Sequence, residues 1–184
     1  MRIFFALSTM LALQAMLFAE DAIPKLPNKI EFGETREVIL WEERQKRGNS
    51  LIDFDSNSLL PATAMKIDAP RSTIYRAVQK WAIESGVDAS CLVRKSFAGL
   101  IGFNIAAIPA RDTDWEPTSS IMEQLSQTDI GYPCTVSAGR ELPSTWIFRT
   151  TKNYGVLQIL EITKGTENPS QYGDGIRIRY KLLK

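Results

Sequence analysis

The chain has 184 residues, with 22 Lys and Arg against 21 Asp and Glu and a formal net charge of +1. So balanced a chain has no long-range pull on a polyanion, and nucleic acid is not expected as a partner. It contains no histidine and only 2 cysteines, which removes Ser-His-Asp and Cys-His nucleophile pairs, zinc proteases with paired helical histidines and thiolate zinc sites.

Residues 1–19 carry one cation, Arg2, then an apolar run from Ile3 to Phe18 with no acidic residue, and end at Ala19 before Glu20 and Asp21. This layout predicts a secretory signal peptide and an extracytoplasmic protein, periplasmic or secreted, with no membrane span after cleavage. Leu17 is larger than the residue usual at its place, and an uncleaved anchor is the alternative. No cysteine lies near the cut, so a lipid anchor is not expected. Residues 20–30, with Pro24 and Pro27 among charges, read as an extended, poorly ordered lead-in. Residues 31–184 then form one domain.

Within that domain, Arg36 to Trp41 reads as a strand buried on both faces, and Leu51 to Asp55 as a strand with Ile52 and Phe54 inward and Asp53 and Asp55 outward. The spacing predicts a helix from Asp68 to Gly86: Asp68 caps it, Pro70 sits in its first turn, Gly86 ends it, and Ile74, Ala77, Val78, Trp81 and Ala82 form one apolar stripe. Leu100 to Ile108 is short and nearly all apolar, as a covered strand would be. A second helix is expected from about Pro117 to Ser126, with Ile121, Met122 and Leu125 inward, and a brief strand at Pro133 to Ser137.

The end of the chain is the clearest. Trp146 to Thr151, Val156 to Ile162 and Ile176 to Leu182 read as a three-stranded meander, the first turn falling at Lys152-Asn153-Tyr154-Gly155, where Asn and Gly tolerate positive φ. In the last strand Ile176, Ile178, Tyr180 and Leu182 share one face, while Arg177, Arg179 and Lys181 make a basic stripe expected on a solvated edge. The fold class is therefore α+β: an antiparallel or mixed sheet of about five to six strands, two helices packed on one of its faces, and a terminal meander.

Candidate chemistry is sparse. Asp53 and Asp55, at i and i+2 on a strand, share a face, and with Asn57 they resemble the opening of a calcium loop. That match fails at Ser58, where Gly is needed, and at Ala64, where Glu is needed. Paired-carboxylate catalysis and a solvated strand edge are the other readings of the pair. Trp115, set among Asp112, Asp114 and Glu116, is either a platform for a sugar or peptide or a hydrophobic staple over the second helix. Trp41, Trp81 and Trp146 are expected in the core, and Gln158 as a satisfied core amide. Cys91 and Cys134 are candidates for a disulfide in an exported protein, or two separate buried thiols. No metal and no cofactor is expected.

Three stretches together resemble a known module: Leu51-Ile-Asp-Phe-Asp55, Gly99-Leu-Ile-Gly-Phe103, and Phe148-Arg-Thr150 followed by Gly155-Val-Leu-Gln-Ile159 and Ile176 to Leu182. The pattern is similar to an exported bacterial module of unknown function, found alone or behind membrane metallopeptidase sensors of the BlaR type. Asn153-Tyr154 stands where that pattern has two glycines. The resemblance implies a stand-alone extracytoplasmic module that senses or binds something at the envelope; with the leader and the missing histidine it leads to an exported, non-enzymatic binding or sensory module whose expected partner is an unidentified envelope protein, peptide or glycan. A strand-edge assembly protein and a carboxylate-based glycan hydrolase using Asp53, Asp55 and Trp115 are the alternatives.

Overall fold

A computed structural model describes residues 24–42, 48–111, 115–117, 119–130, 133–164 and 174–184. The expected signal peptide, with Asp112, Asp114 and most of the loop before the last strand, lies outside the described residues. Among the described residues ten strands form two sheets of five, and every pairing is antiparallel. The first sheet has the order β1 (Arg36–Trp41), β10 (Gly175–Leu182), β9 (Tyr154–Thr163), β8 (Ser144–Arg149), β6 (Ala106–Ala110). The second has the order β3 (Ser58–Leu60), β2 (Leu51–Asp53), β4 (Ala89–Arg94), β5 (Phe97–Gly102), β7 (Cys134–Ser137). The α+β class and the terminal meander are as expected; the single sheet is corrected to two.

The sheets pack face to face. Ile52, Cys91, Val93, Leu100 and Val136 from one meet Leu40, Phe148, Leu157, Ile159, Ile176, Ile178 and Tyr180 from the other. Phe54 joins them, its ring 4.6 Å from Phe148 and 5.0 Å from Tyr180. Strands covered on both sides look alike in sequence whether a helix or a second sheet covers them, which is why the sandwich was not anticipated. The helices lie on opposite outer faces rather than on one. Helix α1 (Ile74–Ser85) sets Val78, Trp81 and Ala82 against Leu51 of the second sheet and Phe103 just after its strand β5. Helix α2 (Ser119–Ser126) buries Met122 and Leu125 against Ala106, Ile147 and Tyr154 of the first.

Several local expectations are corrected. Helix α1 begins at Ile74 after Thr73, which makes no side-chain cap bond; Pro70 belongs to a preceding turn whose carbonyl accepts the Thr73 N–H and hydroxyl. Gly86 does end the helix, at φ 69°. The apolar run at Leu100 to Ile108 is two strands in different sheets, joined at Phe103-Asn104-Ile105, and β3 and β4 are two further strands beyond the expected set. Strand β1 is an edge strand that buries Leu40 and exposes Ile39. The β8–β9 turn is held by the Thr150 hydroxyl, which accepts the N–H groups of Lys152 and Asn153. Gly155 lies inside β9, where a Cβ would sit 2.6 Å from the Phe148 ring and 2.8 Å from the Lys181 carbonyl. Gly99 and Gly102 permit close packing, as read from the sequence: a Cβ at Gly99 would lie 2.0 Å from the Val136 carbonyl.

Cys91 and Cys134 are free thiols. They sit on β4 and β7 with β5 between them, Cys91 opposite Leu100 and Cys134 opposite Gly102. Bridging demands Cα atoms within about 7 Å, closer than two strand spacings.

The lead-in is extended from Pro24 onward but docked. Leu26, Ile30 and Phe32 pack beside α2, and the Tyr154 hydroxyl donates to the Pro24 carbonyl at 2.9 Å. Gly33 N–H bonds Leu182 and Lys184 N–H bonds Glu31, tying this segment to the chain end. No described helix is long and apolar enough to cross a membrane.

Candidate functional site

Among the described residues, two places that gather polar side chains bear on function. The first lies at one end of the sandwich. Strand β2 ends at Asp53, and the tight turn to β3 places Asn57 at φ 58°, a conformation Asn tolerates. The Ser56 N–H and hydroxyl both donate to Asp53, at 3.1 and 2.6 Å. After α1 the Gly86 turn brings Val87 into the core and presents Asp88, whose N–H bonds Ile52 and whose carbonyl accepts from Phe103 and Asn104. Pinned at both backbone groups, Asp88 directs its carboxyl under the turn, where Oδ2 accepts the Phe54 N–H at 2.8 Å.

One oxygen from each of Asp53, Asp55 and Asp88 lies within 4.8 Å of the others. Asp53 and Asp55 are therefore not on a free strand face. Asp88 is 2% exposed, and burial pushes its carboxyl up to about 8, opposed by the Phe54 N–H and reinforced by Asp55 and Asp53. Burial also raises Asp55, with the Thr150 hydroxyl opposing. Asp88 thus carries a proton at neutral pH. That proton relieves the repulsion of three converging carboxyls. Oxygens at this spacing also suit a hard cation of calcium size, with ligand distances of about 2.3–2.6 Å. Tyr180 from β10 closes the floor, donating its hydroxyl to Asn57 Oδ1 with Arg36 beside it. Sequence spacing singled out Asp53, Asp55 and Asn57, but missed Asp88 and Tyr180.

The second place lies on the outer face of the first sheet. The alternation in β10 puts Tyr180 into the core and Arg177, Arg179 and Lys181 outward, yet β10 is flanked by β1 and β9, so the basic stripe is not on an edge. Arg177 pairs with Glu37 at 2.7 Å and Glu161 at 2.8 Å. Arg179 Nε donates to Gln158 Oε1 at 2.7 Å, and Gln158 Nε2 donates to Thr145 at 2.8 Å, so the buried amide is satisfied by side chains.

Lys181 is different. Its side chain is only 6% exposed, and its ammonium makes no hydrogen bond to any described residue. The Nζ atom lies 4.5 Å from the Phe32 ring centre, 4.7 Å from that of Trp115 and 3.8 Å from Glu116 Oε1. Burial lowers its pKa and Arg179 adds to that, while Glu116 opposes. Trp115 therefore lies over β10, with the Arg179 guanidinium 4.5 Å from its ring centre. A cavity of about 500 Å³ opens here, lined by Ile30, Phe32, Thr35, Trp115, Glu116 and Lys181 among others. Of the expected ligand contacts, Trp115 alone is at this cavity. The other three tryptophans are half-buried, and Trp146 donates its indole N–H to the Ser137 carbonyl at 3.0 Å. Set against protein-family models, curated proteins and solved structures, the chain matches none of them.

Proposed function

We propose that the protein is an exported, non-enzymatic binding module of the bacterial envelope, and that its ligand seat is the cavity between the lead-in, Trp115 and β10. The observation that carries this reading is Lys181: a charged side chain 6% exposed, bordered by two aromatic rings and lining an open cavity. Holding an ammonium there costs desolvation energy that no hydrogen bond among the described residues offsets. Among the described residues the titratable ones lining the cavity are Lys181 and the exposed Glu116, which form no nucleophile and base pair, so binding rather than turnover is the chemistry supported. The leader-like residues 1–19 and the resemblance to a sensor-associated module support export.

The test uses the four tryptophan indoles as resident reporters. With the indole nitrogens isotopically labelled, small carboxylates, sugars and short peptides at millimolar concentration are added in turn. A ligand of this seat moves the Trp115 resonance and leaves Trp41 and Trp81 in place, and Trp115→Phe abolishes the response. Responses centred on other indoles, or none from Trp115 with any compound, would refute the seat.

A further inference from the structure

Resting on that reading, we infer that the ligand of this cavity is a small monocarboxylate, whose carboxylate takes the place Glu116 now holds beside Lys181. The ammonium has three donors, and the nearest anionic oxygen among the described residues is 3.8 Å away, beyond hydrogen-bond distance. The Phe32 and Trp115 rings favour a cation but accept no strong hydrogen bond, so they neutralise nothing. Glu116 is 87% exposed on the other side of the pair, and its carboxylate exchanges freely with water. The site is thus already arranged around a carboxylate, held loosely and from outside. A ligand carboxylate entering the cavity makes the hydrogen bonds that Glu116 does not reach.

The charge count argues for a single negative charge. Lys181 supplies one positive charge, Arg179 is engaged with Gln158 and the Trp115 ring, and Glu116 at the mouth repels a second anionic group. Ile30, Phe32 and Pro117 beside the Thr35 hydroxyl provide a mixed wall for the body of the ligand. Sugar acids and N-acylated amino acids share this chemistry, and the experiment separates them.

Binding is measured by calorimetry with two matched pairs, glucuronate against glucose and N-acetylalanine against its amide. Each pair differs at the carboxyl group alone in charge. A charge-assisted hydrogen bond to a buried ammonium corresponds to at least roughly tenfold tighter binding of the acid. The pair that shows it identifies the ligand body. Glu116→Gln, at an exposed position, tightens the acid severalfold by removing the resident competitor, and Lys181→Met erases the preference for acid over neutral partner. Equal affinity within each pair, or a Glu116→Gln variant that binds the acid no better, overturns the inference while leaving the seat standing. Silence of all four compounds in both calorimetry and the Trp115 resonance overturns the seat as well.

Discussion

Asp88→Asn should remove a fall in this fold's stability with rising pH that Asp88 imposes. The Asp88 carboxyl is displaced by burial from 3.8 to about 8, so between those values the folded state holds a proton that the unfolded chain releases. Stability is therefore fully present below about pH 4, declines as pH rises through the window, and levels off above about pH 8. At about 1.36 kcal/mol per pH unit the whole decline from this group is roughly 6 kcal/mol. Asp55 is raised as well and adds to the same slope, Asp53 reinforces it, and Lys152 opposes it; Tyr180, with Arg36 at its hydroxyl, faces the cluster from β10. Asparagine keeps an acceptor for the Phe54 N–H at 2.8 Å and places an amide where the proton stood. Urea unfolding at pH 5, 7 and 9 is the assay. The variant should already exceed the parent by about 1.5 kcal/mol at pH 5 and by several more at pH 9. A parent protein whose stability is flat or rises from pH 5 to 9, or a variant with the parent's slope, would refute the buried-proton account.

Other consequences are simpler to test. If a hard cation takes the oxygens of Asp53, Asp55 and Asp88, it competes with the Asp88 proton, so millimolar calcium should raise the melting temperature more at pH 9 than at pH 6 and not at all in Asp88→Asn. Gly99→Ala would place a Cβ 2.0 Å from the Val136 carbonyl and part β5 from β7; a loss above ~3 kcal/mol, read from denaturant midpoints, is expected. Burial pushes the Cys91 thiol up to about 12 and also raises Cys134, so at pH 8 a thiol reagent should leave Cys91 unlabelled until the protein is unfolded. Rapid labelling of Cys91 in the native state would contradict its placement under β10.

What could be read from the chain was local. The alternation of β10, the β8–β9 hairpin, the stripe of α1 with Gly86 at its end and the inward Met122 and Leu125 of α2 are all visible within one turn or one strand. Strand β4 was missed because Ala89 to Arg94 alternates Ala, Cys and Val against Ser, Leu and Arg, too weak a period-two signal. The crossing between sheets hid in a continuous apolar run whose only polar mark is Asn104, itself 8% exposed. Asp88 reaches Phe54 across 34 residues, and no local spacing records that meeting. One signal did exist: an acid between two buried apolar residues, Val87 and Ala89, directly after a helix-ending glycine has nowhere wet to point. The basic stripe misled because alternation tells which residues share a face, not whether the strand stands at an edge.

The same alternation explains how one strand serves both polar places. Tyr180 and Lys181 are neighbours in β10, yet a pleated strand sends them to opposite sides, the tyrosine hydroxyl to Asn57 beside the acidic cluster and the ammonium to the cavity under Trp115. Each is seated by chain from elsewhere: the turn after β2 for Tyr180, the docked lead-in and residues 115–117 for Lys181. A one-residue slip of β10 against β9 would drive Lys181 into a core of Phe54 and Phe148 and carry the Tyr180 ring outward. The register is guarded on both flanks, by six residue pairs to β1 on one side and eight to β9 on the other. Gly155 permits this pairing: a Cβ there would lie 2.8 Å from the Lys181 carbonyl and would push β10 away from β9 at the position where the ammonium must enter the cavity.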